Sequence, residues 1–432
     1  MWQVLTSAWA LLLGMFLLMV GNGLQGSLMG IRGGIEGFST SELSIITSAY
    51  FAGFLFGSRL TPEMIRRVGH IRVFAALGSL ISAVLILYPT ITEAWAWILL
   101  RVLFGFSFSG VYVTAESWLN NASTNENRGK ALSLYMIVQM SGIVASQALL
   151  NVGDPAEFIL FVIPSVLVSL SFAPILLSVS PTPAFETTKA MSLSELYNTS
   201  PTGIVGMFLM GMIFSAQFGM ASIYGTAANM SVAEISLFVS AIFLGGLVLQ
   251  FPVGWMSDRM DRRILIFAAA VGGSAAGLLG WMFGSSFEVI LIAGFIMGGV
   301  SNPLYALLLA YTNDYLGTDD MAAASGGMMF VNGLGAIMGP ILTGWAMGAI
   351  GPSGFWAFIG AVMVVLLGYV AWRMTQRQSL YADESDYEAV AYAPILPTAT
   401  GVAVEAATEV YAENAENENE QAEQTGENLD RA

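Results

Sequence analysis

The chain has no cysteine and a single histidine, His70, among its 432 residues. No Cys/His cluster or H-E-x-x-H pattern is there to support metal catalysis, and no zinc or iron–sulfur cofactor is implied. Without cysteine, the redox compartment leaves no mark. There is no Walker A sequence, so the chain by itself does not read as an ATP-driven machine. The largest deficit is charge. Asp, Glu, Lys and Arg make up 10% of the residues, against about 25% in a soluble domain. So little charge cannot build a water-facing surface over this length, and lipid must face most of it. Nothing basic enough for nucleic acid is present.

Apolar length takes the place of charge. The chain is 56% hydrophobic, with mean hydropathy +0.70. Segments of about 20 apolar residues, the length a bilayer demands, fall at 6–29, 41–60, 72–89, 94–117, 131–150, 157–178, 203–225, 232–256, 263–283, 287–315, 322–348 and 354–373. The first has no Lys or Arg before it and exceeds a signal-peptide core, so it reads as a retained span. The expected fold is an all-α integral membrane protein of 12 transmembrane helices in two six-helix repeats. Residues 1–179 form the N-terminal half and 202–375 the C-terminal half, joined by a polar cytoplasmic linker at 180–201. Residues 376–432 are an acidic tail, expected to be disordered and cytoplasmic. The net charge of −15 is mostly this tail, where residues 378–432 carry 13 acids and one arginine.

Basic residues set the orientation. With both termini cytoplasmic, 13 of the 15 Lys/Arg fall inside; Arg32 alone lies outside and Arg101 sits within a span.

The halves repeat at an offset of 192 residues: Glu42 to Gly53 (E-L-S-I-I-T-S-A-Y-F-A-G) aligns with Glu234 to Gly245 (E-I-S-L-F-V-S-A-I-F-L-G). The same offset pairs Gln25 with Gln217, Ser39 with Ser231 and Arg67 with Arg259. Parallel six-span repeats are a transporter plan with the solute site between the halves. Glu42 and Glu234 invite an ion-coupling role. Yet Ser39-x-x-Glu42 and Ser231-x-x-Glu234 have capping-box spacing at span starts, and the structural reading is preferred.

Polar side chains within spans are costly unless they face protein or water. They concentrate on spans 1, 4, 5, 7, 10 and 11 as Asn22, Gln25, Arg101, Gln139, Gln147, Gln217, Asn302 and Asn332, while spans 3, 6, 9 and 12 are apolar throughout. Every third helix then suits an outer, lipid-facing place. Asn22 and Gln25 share a helix face, as do Asn302 and Tyr305. Each amide has two readings, as lining of a solute path or as glue between helices. Gly53-x-x-x-Gly57 and Gly335-x-x-x-Gly339 allow close helix approach.

These residues resemble the major facilitator superfamily over roughly 5–375. The sharpest motif is Gly254-Trp-Met-Ser-Asp258-Arg259-Met-Asp261-Arg262-Arg263, similar to that superfamily's G-x-L-x-D-R-x-G-R-R loop, with Asp261 where Gly is usual. The resemblance implies a cytoplasmic gate of Asp258, Arg259 and Arg262; retention of arginines by the positive-inside rule is the alternative. In the first-half loop Arg67 and Gly69 fit, but Arg66 stands where Asp is usual, and Glu116 with Arg128 is the expected substitute acid and base. Arg101-Val-Leu-Phe-Gly105 resembles the R-x-x-q-G motif of proton-coupled members; snorkelling or holding backbone carbonyls are the other readings. Gly335-Ala-Ile-Met-Gly339-Pro340 is similar to G-x-x-x-G-P, but on span 11 and without a Gly-Pro counterpart on span 5, which weakens an antiporter reading. Gly21 to Gly26, Ser48 to Gly53, Glu116-Ser-Trp-Leu119 and Asn127-Arg-Gly129 resemble a narrower bacterial group, the YcaD-like facilitators.

The expectation is secondary active transport of a small organic solute by alternating access, as a monomer in the bacterial cytoplasmic membrane. Asn22, Gln25, Arg101, Gln139, Gln217, Asn302, Tyr305 and Asn332 would line the path; Arg66, Arg67, Glu116, Arg128, Asp258, Arg259 and Arg262 would form the cytoplasmic gate. Protons are a candidate partner, with a gradient-free facilitator left open. A transporter-like receptor that binds without moving a solute is the alternative. A membrane enzyme is disfavoured, because the spans hold no clustered nucleophile, base or metal ligands.

Overall fold

A computed structural model describes residues 2–122, 125–177, 191–377, 395, 398, 400–404 and 406. The N-terminal half is α1 (Trp2–Ile35), α2 (Thr40–Val68), α3 (His70–Leu87), α4 (Ala94–Ala122), α5 (Asn125–Leu149) and α6 (Ile159–Leu177). A short α7 (Leu193–Thr199) lies in the linker. The C-terminal half is α8 (Pro201–Ala227), α9 (Val232–Ser257), α10 (Arg262–Phe283), α11 (Phe287–Asn313), α12 (Thr318–Ile350) and α13 (Gly354–Gln376). Eleven of these helices are long and apolar enough among the described residues to cross a bilayer, and α6 contributes a shorter apolar stretch, Ile159–Ala173. The linker carries a helix that composition alone hides: Ser192 and Glu195 form a capping box at the start of α7, and Met191 N–H donates to Ala323 O on α12.

The span starts follow the sequence. Ser39 caps α2 while Glu42 reaches back to it, and Ser231 with Glu234 does the same for α9. Both glutamates are engaged with the backbone at the bundle surface, as a capping box requires. Gly69 lets α3 follow α2 with almost no loop, at φ 86, a conformation that favours glycine. The repeat-related residue, Asp261, takes φ −54 and caps α10 by accepting from Arg263 N–H. The motif's missing glycine is thereby explained, since this turn needs a cap rather than a left-handed residue.

Glycines set the packing within each half, and they do so twice. A side chain on Gly53 would collide with Val102 O, and one on Gly105 with Tyr50 O, so α2 and α4 touch backbone to backbone. Gly245 against Phe295 O and Gly298 against Ile242 O repeat this between α9 and α11. Gly335 meets Phe208 O in the same way, joining α12 to α8. Close approach of this kind is how helices associate in lipid, where no hydrophobic force pulls them together. Among the described residues, the main packing partners of the apolar helices α3, α6, α10 and α13 are helices of their own half. Bulky apolar side chains such as Trp95, Trp281 and Trp372 point outward, as a lipid-facing surface requires.

The halves meet unevenly. At the end carrying Arg32, Ser48 Oγ donates to Ile337 O at 2.7 Å and Ser236 Oγ to Gln147 O at 2.5 Å. In the same region Gly30 abuts Ser222, Gly34 abuts Thr226, Thr47 abuts Gly219 and Ser44 abuts Gly344. These contacts seal α1 on α8, α2 on α12 and α5 on α9. At the opposite, arginine-rich end, the Arg59 guanidinium lies 4.1 Å from the Phe330 ring centre. A different part of the chain also enters between the halves, described below.

Candidate functional site

Arg101, on α4, is a buried mid-span cation, only 4% exposed. Its Nη1 donates to Gln25 Oε1 at 2.8 Å, and its guanidinium lies 5.5 Å from the Tyr50 ring centre. The Tyr50 and Tyr112 hydroxyls lie beside Asn22. Helices α1, α2 and α4 thus converge on one polar cluster. No carboxylate among the described residues pairs with Arg101; an amide and a ring face are its company. Arg101 Nε and Gln25 Nε2 have no hydrogen-bond partner among the described residues. A buried cation without a counter-ion, ringed by unused donors, suits a ligand that supplies acceptors.

Tyr50 links this cluster to a narrow cavity of about 30 Å³ between the halves. Phe51, Phe54, Leu55 and Ser58 of α2 line one side, and Phe214 of α8 with Met329, Asn332, Gly333 and Ala336 of α12 line the other. The wall is largely aromatic and aliphatic, with the guanidinium close behind Tyr50.

The remaining residues expected along a path are all buried but differ in their bonding. Asn332 borders the cavity while its Nδ2 donates to Met207 O. Gln217 Oε1 accepts from Ser301 Oγ at 3.0 Å, tying α8 to α11, and its Nε2 is left over. Asn302 Nδ2 donates to Gly298 O at 3.0 Å within its own helix. Gln147 bonds Ser27 and the α1 backbone, as interhelical glue does. Gln139 and Tyr305 are buried without a hydrogen bond to the Arg101 cluster. Tyr50 is the residue that sequence reasoning passes over. The available signal was asymmetry: its repeat partner is Ile242, where the other half carries no cation.

The gate residues assemble differently from the expectation. Arg66 and Arg67 both bond Glu63 on their own helix and are well exposed, so Glu116 is not their acid. Arg128 lies outside the residues whose side chains are described. Arg259 turns to Trp255, with Nη1 on its carbonyl at 2.9 Å and the guanidinium over its ring. Arg262 is instead the buried cation, 1% exposed, bonded to Ser257 and ion-paired with Asp314. Asp258 ends α9 as its C-cap. Arg263 pairs with Asp261 and bonds Arg377 O. The pairs Arg66–Glu63, Arg67–Glu63, Arg262–Asp314 and Arg263–Asp261 each lie within one half.

Glu116 is deeply buried near the arginine-rich end of α4, with Tyr112 and Tyr135 beside it. Its Oε2 accepts from both the backbone N–H (3.1 Å) and the hydroxyl of Thr400. Ile395, Thr398, Thr400, Ala403, Val404 and Ala406 are all buried. The sequence reads these residues as part of a solvated tail. The difference has a physical cause: this stretch, unlike the acid-rich end after it, is apolar and small enough to enter a cavity.

A bundle of two repeated six-helix halves with a polar cluster and a cavity between them defines a multi-pass membrane transporter. The profile of the Major Facilitator Superfamily matches residues 11–231 and again 203–404, and the chain belongs to that superfamily. It is 23% identical to the "Uncharacterized MFS-type transporter YcaD" of Escherichia fergusonii, across 77% of this chain and 86% of that one. An MFS-type transporter of Yersinia pestis is 25% identical, with 79% and 89% covered. Among solved structures, the nucleoside transporter NupG superposes with TM-score 0.68 at 14% identity, over 85% of this chain and 100% of that one. A bacterial homologue of the human lysosomal transporter Spinster, inward-facing and unoccupied, gives 0.64 at 12% identity over 94% and 98%. The family and fold are those of transporters rather than enzymes.

Proposed function

We propose that the protein carries a small amphipathic organic solute across the bacterial cytoplasmic membrane by alternating access. The two halves rock about the cavity, and an acceptor-bearing group of the solute, carboxylate, phosphate or carbonyl, docks on Arg101. The observation that carries this is the buried Arg101–Gln25–Tyr50 cluster, which opens through Tyr50 onto an aromatic-walled cavity. Phe51, Phe54 and Phe214 suit the apolar body of such a solute.

The distribution of Lys and Arg supports a cytoplasmic position for the arginine-rich end and for both termini. The sealed end then faces outward, and the conformation is inward-facing. The pairs Arg262–Asp314 and Arg263–Asp261 knit the C-terminal half internally, which fits that state.

The test is uptake and counterflow in proteoliposomes with a broad solute library, with and without an imposed pH gradient, for the wild type and Arg101→Ala. Saturable counterflow lost in Arg101→Ala supports the reading, and accumulation only under the gradient adds proton coupling. Binding without flux in folded protein would overturn it in favour of a receptor.

A further inference from the structure

The cavity between the halves already has an occupant. Thr398 lines it beside Tyr50 and Asn332, and lies next to the Tyr112 hydroxyl. Two residues on, Thr400 is wholly buried and places two donors on one oxygen of Glu116. From there the chain makes a helical turn, with Val404 N–H on Thr400 O at 3.2 Å, and Ala403, Val404 and Ala406 join the main apolar core. The segment bonds α4 and borders a cavity walled by α2 of one half and by α8 and α12 of the other.

The composition fits such a place. The sequence Ile395 to Ala406 has one charged residue, Glu405, while the stretch beyond it is acid-rich. Seventeen residues, 378 to 394, separate Arg377 from Ile395 in the sequence, a length of chain that spans up to about 56 Å at about 3.3 Å each. Glu116 explains the polar anchor. A carboxylate buried in a span is expensive unless donors meet it. Thr400 supplies an N–H and an O–H together, and Glu116 Oε1 keeps no hydrogen-bond partner among the described residues.

The geometry points to a built-in plug: residues 395, 398, 400–404 and 406 occupy the solute path from the arginine-rich side, anchored by Thr400 on Glu116, and must withdraw before a solute enters or the halves rock. This deepens the reading of the cavity as a solute path, and it makes transport conditional on release of the chain's own C-terminal segment. Because the plug bridges both halves, it also holds them in the state with the Arg32 end sealed.

The absence of native cysteine gives a clean test that needs no solute. Single cysteines at Ala403→Cys, at Gln376→Cys (exposed at the end of α13) and at Ser58→Cys in the cavity wall are reacted with a water-soluble maleimide in the full-length protein. Cys at 403 is expected to react at least tenfold more slowly than at 376. Adding Thr400→Asp, which sets a carboxylate against Glu116, is expected to speed labelling at both 403 and 58 by a similar factor. Thr400→Ala, a milder change that keeps the backbone donor, should give an intermediate rate. Monodisperse elution of each variant confirms folding. Equal rates at 403 and 376, or a rate at 58 unmoved by Thr400→Asp, would overturn the plug. These rates stand whether or not any solute is carried, so failure of the plug and failure of the transport reading are separate results.

Discussion

Arg262, at the first turn of α10, is ion-paired with Asp314, the C-cap of α11, and both side chains are almost fully buried. Two helices are thereby pinned at the arginine-rich end by a charge pair cut off from water. Removing one partner strands the other, at a cost of about 3–5 kcal/mol. Asp314→Asn is expected to lower the melting temperature in detergent strongly, and Arg262→Met with Asp314→Leu to recover most of it. An Asp314→Asn protein as stable as the wild type would refute the pairing.

Arg101 is expected to govern affinity rather than stability. Truncating a buried, hydrogen-bonded charged contact typically costs about 2–5 kcal/mol of binding. Arg101→Ala should therefore weaken solute binding by roughly 30-fold or more. Arg101→Lys should recover only part of this, since it keeps charge without the planar fork. Counterflow titrations beside melting curves separate lost binding from lost folding.

The sealed end offers a lock. A Cβ on Gly34 would lie 3.9 Å from Thr226 Cβ, close to the roughly 3.8 Å mean of disulfides. Gly34→Cys with Thr226→Cys should oxidise readily and arrest flux, and reductant should restore it. A cross-linked protein that transports at full rate would rule out parting of the halves at this end.

The glycine contacts should fail symmetrically. Gly53→Ala and Gly245→Ala each force a methyl against a carbonyl oxygen of the facing helix. Each is expected to cost about 1–3 kcal/mol, read as reduced thermal stability. Gly368→Ala, with open space around it, is the control and should be neutral or mildly stabilising.

Glu42 and Glu234 are expected to be structural. Ser39→Ala and Ser231→Ala should each cost about 0.5–2 kcal/mol, while Glu42→Gln and Glu234→Gln leave solute flux and its response to a pH gradient intact. Loss of gradient-driven uptake in either glutamine variant would return these acids to the coupling mechanism.

Span count, repeat and capping boxes were legible in the sequence, because each depends on local rules: enough apolar residues to cross a bilayer, and a serine three residues before a glutamate. The glycine spacings likewise announced close packing. The burial of Arg101 followed from its place in a span. Its company did not, for Gln25 lies 76 residues away and Tyr50 looks like one more aromatic in an apolar run.

Partner choice belonged to the tertiary structure. Three arginines in one loop are equivalent on paper, yet packing buries Arg262 against Asp314 and leaves Arg259 on Trp255. Arg66 and Arg67 find Glu63 within a helical turn, which a search for a distant acid overlooks. The fate of residues 395–406 was the least local of all. Apolar and small side chains after a polar connection carry no address; only a cavity between two halves and a buried glutamate that Thr400 can reach tell them where to go. Sequence thus determined the solvent, the spans and their duplication, which the chain's own chemistry imposes, and the fold decided which charges meet and what fills the path, because those depend on residues that are far apart until the helices pack.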